Sequence, residues 1–516
     1  MSLADHIAQT EFDTLSPLIT RLAQTQANAP ALADDHRRVT YGQLDRDMNR
    51  VAAALQRDGV GAGEAIAICA QSSVAYATLY LGALRAGVVV APLAPSSTAE
   101  TLAVMLRDGP ARLVFVDAET APLLKDAPCP RIWLDDGGDG TQATWSQWLA
   151  AEGAVPQAQH ITPQHPFNII YSSGTTGTPK GIVQSHGMRW AHIQRGIQYG
   201  YDANTVTLLS TPLYSNTTLV IFFPTLAYGG LVRLMPKFDA QRYLALAQDE
   251  GVTHTMLVPV QYHRLLALPN FDAHDLSRFK HKFCTSAPMP AQRKAEVLRR
   301  WPGGLVEFYG MTEGGASFIL NAHEHPNKLH TVGRPASGCV VKVIDEDGRE
   351  LPPGVKGEIV GHSRGMMNGY HGQPEKTREA EWFDADGVRY IRTGDIGQLD
   401  EDGFLVLMDR RKDMIISGGF NIYPSDLEAQ LREHPAIDDA AVVGVPSEAW
   451  GETPVAYVVL HAHSDASAQS IRDWFNARVG KTQRLSDVVI QTQLPRSAIG
   501  KVLKRELRDQ YVATGD

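Results

Sequence analysis

Cysteine is scarce in this sequence: its 516 residues include only four, at positions 69, 129, 284 and 339. Cysteines so few and so widely spaced exclude a disulfide framework and a paired-cysteine metal site, and they fit a reducing compartment. Long apolar runs are also missing, because the longest, LVIFFPTLA from Leu219, is far shorter than the ~20 residues that a bilayer requires. The amino terminus has no basic start followed by an apolar segment. We therefore expect a cytoplasmic protein without a membrane span.

Blocks of like charge are absent as well. The 48 basic and 57 acidic residues are scattered along the chain and give a formal net charge of -9. No broad basic surface is available to follow a phosphate backbone, so nucleic acid is not an expected partner. With 43% hydrophobic residues, the chain can bury a sizeable core, and its length suits two to four domains of about 150 residues each.

Alternating helix and strand patterns predict an α/β fold for the first part of the chain. Apolar residues recur at helical spacing from Leu44 to Leu55, and EAIAICA, GVVVAPL and ARLVFVD read as short strands. Such alternation favours βαβ units and a largely parallel sheet. A further strand, Phe167 to Tyr171, leads directly into the loop YSSGTTGTPKG. That loop therefore leaves the end of a strand, where open α/β sheets bind their ligands.

The pattern changes after about residue 330. Short strands separated by Gly and Asp turns, as in VVKVIDEDGRELPPGVKGEIV, predict a β meander. From PSDLEAQLREH onward, helix and strand alternate again over the last 100 or so residues, which suits a small α+β domain. We predict a large domain over residues 1–408, a charged hinge over 409–413 and a small mobile domain over 414–516.

The loop from Tyr171 to Gly181 suits a polyphosphate. Its glycines let backbone N–H groups point to one place, its hydroxyls add short donors, and Lys180 adds a positive charge. The spacing of Gly174, Gly177 and Lys180 does not match a Walker loop, which has four residues between its glycines and then Lys-Ser/Thr. A different kind of ATP site is therefore expected.

The loop resembles the phosphate-binding signature of the adenylate-forming superfamily, which includes acyl- and aryl-CoA ligases, peptide-synthetase adenylation domains and luciferase. Further matches follow in the family's order: YGMTE at 309–313, YIRTGD at 390–395, DRRKDMIISGGFNIYP at 409–424 and PRSAIGKVLKRELR at 495–508. The resemblance implies the adenylate-forming enzyme fold, with mixed and parallel sheets flanked by helices, a β meander and a mobile carboxy-terminal domain. It also implies ATP, Mg²⁺ and coenzyme A as cofactors.

The resemblance assigns roles in the first half-reaction, in which a carboxylate attacks ATP to give an acyl adenylate. Thr175 and Glu313 would hold Mg²⁺, and Lys501 would stabilise the charge that develops. Asp395 would accept hydrogen bonds from the ribose hydroxyls, and Arg410 would add a donor to the nucleotide. The remaining residues that would contact the nucleotide are Ser172, Ser173, Gly174, Thr176, Gly177, Thr178, Lys180, Ser286, Ala287, Pro288, Tyr309, Gly310, Met311 and Thr312. The family usually has Gly-Gly-Ala where this chain has Thr285-Ser286-Ala287.

The second half-reaction, in which a thiol displaces AMP, involves another set of residues. Ser417, Gly418, Gly419 and Trp450 match positions that border the pantetheine arm, although Trp450 is equally readable as a core residue. Lys412 matches the hinge about which the small domain rotates between the two half-reactions. The acid pocket would involve Tyr214, Ser215, Val260, Gly310 and Met311. Many relatives carry His at the position of Ser215.

The sequence thus predicts an ATP-dependent ligase that joins a carboxylic acid to coenzyme A. Polar side chains at 215–218 favour an aromatic acid, such as a hydroxycinnamate or benzoate, unless these side chains cap a helix and do not meet the substrate. The alternatives are a medium-chain fatty acid, a separate acyl carrier protein as the thiol, and an oxidative enzyme of the luciferase type. A non-catalytic nucleotide sensor would not need both Glu313 and Lys501. The protein is expected to be a monomer or a homodimer.

Overall fold

The computed structural model describes residues 2–137, 140, 142–172, 179–410, 412–417, 420–447, 450–480, 483–497 and 500–514. The chain divides into two compact units, one formed by residues 1–340 with 361–391 and the other by residues 341–360 with 392–516. Within the described residues, no helix is both long enough and apolar enough to cross a bilayer.

A seven-stranded sheet in the first unit carries the predicted phosphate loop. Its strands lie in the order Gly369–Tyr370, Lys180–Ser185, Pro166–Ser172, Val89–Pro92, Ala65–Cys69, Ala111–Val116 and Arg131–Trp133. Pairing is parallel among the last five strands and antiparallel among the first three. The predicted βαβ units and their largely parallel sheet are therefore confirmed in this part of the chain.

A nine-stranded sheet forms the rest of the first unit's β structure. Its strands lie in the order Arg334–Pro335, Ser317–Asn321, Gly304–Gly310, His281–Cys284, His254–Leu257, Val206–Leu209, Leu231–Leu234, Pro30–Ala33 and Arg38–Thr40. The six strands from Gly304–Gly310 to Pro30–Ala33 are mutually parallel. Their carboxyl ends meet at one edge, where open sheets of this kind bind ligands.

Helices pack on both sheets of the first unit. They span Leu3–Gln9, Leu15–Thr25, Tyr41–Arg57, Val74–Arg85, Ala99–Asp108, Trp145–Trp148, His186–Arg195, Asn216–Ala227, Ala240–Asp249, Pro259–Leu266, Ala291–Arg300 and Pro374–Glu379, with short 3-10 turns at Ala121–Leu124, Gly196–Tyr199, Phe271–Ala273 and Pro326–Lys328. The helix Tyr41–Arg57 buries the apolar face that its spacing predicts, including Leu44, Met48 and Leu55. The longest apolar run lies in the helix Asn216–Ala227, which is buried along most of its length.

Most of the predicted meander belongs to the second unit. Strands Val340–Ile344, Gly357–His362, Arg389–Leu399, Glu381–Phe383 and Leu405–Arg410 form a five-stranded sheet, in which the last two both pair with Arg389–Leu399. The turn after Arg410 is closed by the N–H groups of Asp413 and Met414, which both donate to the Arg410 carbonyl. The predicted hinge at 409–413 therefore lies inside this unit, and its role stays a prediction.

A second five-stranded sheet holds the carboxy-terminal part together. Its strands are Phe420–Ile422, Ile415–Ser417, Gly451–Leu460 and Ile437–Ser447, with Asp487–Gln491 paired in parallel to Gly451–Leu460. Helices Pro424–Leu431, Ala468–Asn476 and Lys504–Thr514 pack on it. Alternate residues of the strand Ile437–Ser447 enter two separate apolar clusters, because successive side chains of a strand point to opposite faces.

Candidate functional site

The predicted phosphate loop joins two paired strands. Ser172 lies opposite Lys180 and Tyr171 lies opposite Gly181, so the two ends of the loop are held side by side. Residues 173–178, and with them the predicted roles of Ser173, Gly174, Thr175, Thr176, Gly177 and Thr178, lie outside the described residues, as does the side chain of Ser172. The structure thus gives the loop's two ends, and its contacts with phosphate remain predictions.

Close packing below the loop explains why Gly181 must be a glycine. A Cβ atom there would lie 2.9 Å from the Ile169 side chain and 3.1 Å from both Asp108 and the Tyr171 ring. The Tyr171 hydroxyl donates to the Met105 carbonyl at 2.9 Å and to Asp108 at 3.2 Å. These contacts tie the first end of the loop to the helix Ala99–Asp108.

Lys180, Tyr370 and Glu313 form a connected cluster at the second end of the loop. The Lys180 ammonium lies 5.0 Å from the centroid of the Tyr370 ring, and the Tyr370 hydroxyl donates to the Glu313 carboxylate at 2.8 Å. Burial, together with the charge of Glu313, raises the pKa of Tyr370 well above its ordinary value, so the hydroxyl stays a donor. Tyr370 thus contacts both the Lys180 ammonium and the Glu313 carboxylate.

The backbone around Glu313 is fixed by close approach to the segment 361–391. The N–H of Met367 donates to the Glu313 carbonyl at 2.8 Å. Gly314 follows with a φ of +74°, and a Cβ atom there would lie 1.6 Å from the Gly365 carbonyl oxygen. Only glycine fits this position, so the direction of the Glu313 side chain is determined by its chain neighbours.

The predicted adenine-binding residues lie at the carboxyl ends of two adjacent parallel strands. Ser286, Ala287 and Pro288 follow the strand His281–Cys284, while Tyr309 and Gly310 end the strand Gly304–Gly310 and Met311 follows it. All six are partly or fully exposed to solvent. The predicted adenine contacts therefore lie at an accessible edge of the sheet, and their role stays a prediction.

Ser286 adopts an unusual backbone conformation. Its φ is +79°, in the left-handed region that is costly for a residue with a side chain. Its hydroxyl is hydrogen-bonded to the Thr217 hydroxyl at 2.6 Å. The serine at this position, where the family usually has glycine, is therefore held by the amino-terminal turn of the helix Asn216–Ala227.

Two of the four polar residues at 215–218 form hydrogen bonds with nearby backbone groups. The Ser215 hydroxyl caps the helix by accepting from the Thr217 N–H at 3.3 Å. The Thr218 hydroxyl is buried and donates to the Pro212 carbonyl at 2.6 Å. Tyr214 and Asn216 remain partly exposed, as does Val260 near the start of the helix Pro259–Leu266. The acid pocket predicted here would thus be lined by Asn216 more than by Ser215.

In the second unit, the charges of Asp395, Arg410 and Lys501 interact. The Thr393 hydroxyl accepts from the Asp395 N–H at 3.1 Å, and the Arg410 guanidinium lies 3.2 Å from the Asp395 carboxylate. Burial, with the cations of Arg410 and Lys412 adding to it and the carboxylates of Asp395 and Asp413 opposing it, lowers the pKa of Lys501 to about 8. Three predicted nucleotide-binding residues therefore share one electrostatic environment.

The predicted thiol-binding residues are described only in part. Ser417 is buried and pairs with Gly451 across two strands, and Trp450 precedes that glycine. Trp450 is 46% exposed, which does not fit a core residue of this unit. Gly418 and Gly419 lie outside the described residues.

The family follows from a comparison with known proteins. Residues 19–371 match the family model described as AMP-binding enzyme, and residues 426–501 match the model of its carboxy-terminal domain. The chain belongs to the AMP-binding enzyme family. This confirms the predicted membership of the adenylate-forming superfamily, and the chain is an enzyme of the acyl-CoA ligase type within it.

Several relatives of the AMP-binding enzyme align over nearly the whole chain. Fatty acid–[acyl-carrier-protein] ligase ScoC of Streptomyces coeruleorubidus is 31% identical and covers 98% of both chains. Feruloyl-CoA synthase of an Amycolatopsis species is also 31% identical, over 95% of this chain and 98% of its own. The ATP-bound structure of MatB from Rhodopseudomonas palustris superimposes with a TM-score of 0.87 at 28% identity, covering 98% of this chain and all of that one. These likenesses confirm the predicted fold.

Sequence reasoning missed two residues of this AMP-binding enzyme that contact predicted site residues, and a third that contacts one of these two. Tyr370 binds Glu313 across 57 positions of the chain, and Gln184 binds the Thr312 carbonyl across 128. Arg189 in turn binds Gln184. Their only sequence signals are a tyrosine in the Gly-rich stretch RGMMNGYHG and a polar residue inside the otherwise apolar strand after the loop.

Proposed function

We propose that the protein activates a carboxylic acid with ATP and transfers the acyl group to coenzyme A. In the first step a carboxylate oxygen attacks the α-phosphorus of ATP, and pyrophosphate leaves. In the second step the sulfur of the thiol attacks the acyl carbon, and AMP leaves with its phosphate oxygen. The observation that carries this proposal is the electrostatic coupling of the Lys501 ammonium to the ion pair of Asp395 and Arg410. A cation there would stabilise the charge that develops during the first step.

The described residues fit a magnesium ion held mainly by substrate phosphates. They contain no group of three or more His, Cys, Asp or Glu side chains that could enclose a metal by themselves. Glu313 offers one carboxylate, whose orientation is held by Tyr370. Mg²⁺ commonly binds through one or two carboxylates plus phosphate oxygens, and it would neutralise phosphate charge there. Thr175 would add a hydroxyl ligand if the family pattern holds.

We further propose an aromatic acid as the substrate. Phe308, at the carboxyl end of its strand, is partly exposed and stacks on Phe283, with centroids 5.3 Å apart and planes 14° apart. Such a ring offers an aromatic acid a stacking partner. Relatives named feruloyl-CoA synthase and indoleacetate–CoA ligase support this class, whereas the relatives named fatty acid ligases support the alternative.

A panel of acids tests both proposals. Pyrophosphate release would be measured with ATP, Mg²⁺ and coenzyme A for 4-coumarate, ferulate, benzoate, indoleacetate and octanoate, with AMP and the thioester quantified as products. We expect the highest kcat/KM with an aromatic acid. A highest value with octanoate or longer acids, with negligible turnover of aromatic ones, would overturn the proposed substrate class.

The thiol acceptor is tested in the same reaction. The relative ScoC is named for an acyl carrier protein, so a phosphopantetheinylated carrier protein should be compared with coenzyme A at equal concentration. Faster thioester formation on coenzyme A is the expected result. A carrier protein that is loaded at least about tenfold faster would replace coenzyme A as the proposed acceptor. Release of pyrophosphate without any thioester would exclude ligase activity altogether.

A further inference from the structure

A buried cation lies in the first unit without a carboxylate partner. Arg189, in the helix His186–Arg195, is 1% exposed, and burial lowers its pKa to about 10, so it is charged at neutral pH. Among the described residues no carboxylate forms an ion pair with it, and its Nε has no hydrogen-bond partner. Its guanidinium lies 5.6 Å from the Phe167 ring and 5.8 Å from the Phe223 ring. A charge buried in this way is costly and calls for a compensating anion or a function.

Arg189 fixes the orientation of a second buried residue, Gln184. One guanidinium nitrogen donates to the Gln184 side-chain oxygen. Because a guanidinium has donors only, this contact forces the oxygen of the Gln184 amide toward Arg189 and its NH₂ group to the opposite side. The NH₂ group donates to the Thr312 carbonyl at 2.7 Å and to the Asn216 side-chain oxygen at 3.5 Å. The direction of this amide is therefore determined by its partners.

Gln184 in turn determines which end of the Asn216 side chain is available. The Asn216 oxygen faces Gln184, which leaves its NH₂ group as a donor without a described protein acceptor. Asn216 is partly exposed and opens the helix that follows the capping residue Ser215. The Thr312 carbonyl accepts from the same Gln184 NH₂ group as the Asn216 oxygen, and Glu313 follows Thr312 in the chain. An anion placed against Asn216 would thus be close to the predicted adenylation residues of this unit.

We propose that Arg189 and Gln184 are positioning residues that orient Asn216, and that the Asn216 side-chain NH₂ group donates a hydrogen bond to the carboxylate of the acid substrate. This inference rests on the proposed function, because it names the contact that the acid makes before it is activated. The carboxylate also gains from the buried positive charge of Arg189 behind Gln184, which is weakly screened in the interior. Hydrogen bonds to a charged group are stronger than those between neutral groups, so the contact can select anionic ligands.

The test separates binding of the acid from binding of ATP. In Asn216→Leu we expect the KM for the acid to rise about tenfold to a hundredfold, as for the loss of a hydrogen bond to a charged group, while the KM for ATP stays within about twofold. Asn216→Asp keeps the shape but replaces the donor with a second anion, so its KM for the acid should rise further. The alcohol analogue of the acid, which carries no charge, should inhibit wild type and Asn216→Leu with similar constants.

The positioning residues are tested by a matched set. Arg189→Met should also raise the KM for the acid. Arg189→Lys keeps a donor toward Gln184, so its KM for the acid should rise less. Gln194→Met is the control, because Gln194 lies on the same helix but donates to the carbonyls of Ile7 and Thr10 instead. If Arg189→Met does not fold, the two Asn216 variants decide the question alone, since that residue is partly exposed.

Three results would overturn the inference. An unchanged KM for the acid in Asn216→Leu excludes the contact, and equal rises in both KM values indicate a structural role for Asn216. If the KM for the acid is no higher in Asn216→Asp than in Asn216→Leu, an interaction of this side chain with an anion is excluded. Failure of the proposed function is distinguishable, because the wild-type enzyme itself would then release no pyrophosphate with any acid.

Discussion

The pKa of Lys501 gives a quantitative prediction for adenylation. The side chain lies among the cations of Arg410 and Lys412, and burial is the largest cause that lowers its pKa to about 8. About nine-tenths of the side chain is then charged at pH 7 and about one-tenth at pH 9. If adenylation requires the ammonium, its rate should fall as the pH rises through this pKa, because the lysine loses its proton on that side.

The expected profile differs between two kinetic constants. The profile of kcat/KM for ATP reports groups of the enzyme before ATP binds, so it should fall about tenfold per pH unit above the pKa of about 8. The profile of kcat reports the complex with ATP, in which phosphate charges favour the ammonium, so its decline should begin at a higher pH. Pyrophosphate release in a single turnover is the assay, with thermal unfolding at each pH as the control for stability.

Two variants test the assignment of this decline to Lys501. Lys501→Arg replaces the group by one that stays charged, so its profile should be flat to about pH 10 even though its rate is lower. Lys501→Ala should lose about 10²–10³ in adenylation and leave thioester formation from supplied acyl adenylate largely intact. An alkaline decline that persists unchanged in Lys501→Arg, or equal losses in both half-reactions for Lys501→Ala, would refute the reasoning.

Three further predictions concern other parts of the chain. Tyr370→Phe removes the hydroxyl that donates to Glu313. The Mg²⁺ concentration that gives half-maximal pyrophosphate release should rise about tenfold. An unchanged Mg²⁺ dependence would show that Tyr370 does not orient Glu313 toward the metal. Lys412→Pro should slow thioester formation from supplied acyl adenylate at least about tenfold, whereas Lys412→Ala should stay near the wild-type rate. Normal rates in the proline variant would place the hinge elsewhere. Lys282→Met removes an ammonium that donates to the three carbonyls of residues 301–303, so it should destabilise the protein by about 2 kcal/mol, visible as a lower urea midpoint.

The fold was predictable where its signals are local. The apolar spacing from Leu44 to Leu55 and the short β-branched runs each depend on residues a few positions apart, and these segments became the helix and strands expected. The division of the chain was less accessible, because the compact units change at residues 340, 360 and 391, inside a region of continuous meander. The change of pattern near residue 330 lies close to the first of these boundaries, whereas no such change marks residues 360 and 391.

The site was predictable from its ordered motifs but not from its supporting contacts. Glu313 and Asp395 are recognisable because each ends a short family motif, YGMTE and YIRTGD respectively. The contact between Gln184 and the Thr312 carbonyl joins residues 128 positions apart, and neither belongs to a pattern that names the other. Such pairs arise only when the strand after the phosphate loop and the loop after the strand Gly304–Gly310 are brought together by the fold. A single sequence carries no periodic signal for them.

The polar residues at 215–218 show how contacts within the fold weaken an argument made from residue types alone. Their hydroxyl and amide groups favoured an aromatic acid over a long alkyl chain on the argument that buried polar groups need partners. In the structure Ser215 and Thr218 bond within their own turn, and Thr217 and Ser286 bond each other. These hydroxyls are already satisfied, so an alkyl substrate would leave none of them unpaired, and they do not select against it. Under the two proposals made above, Asn216 would bind the carboxylate common to all acids, and the choice between aromatic and alkyl substrates would depend on apolar surface such as the stacked ring of Phe308.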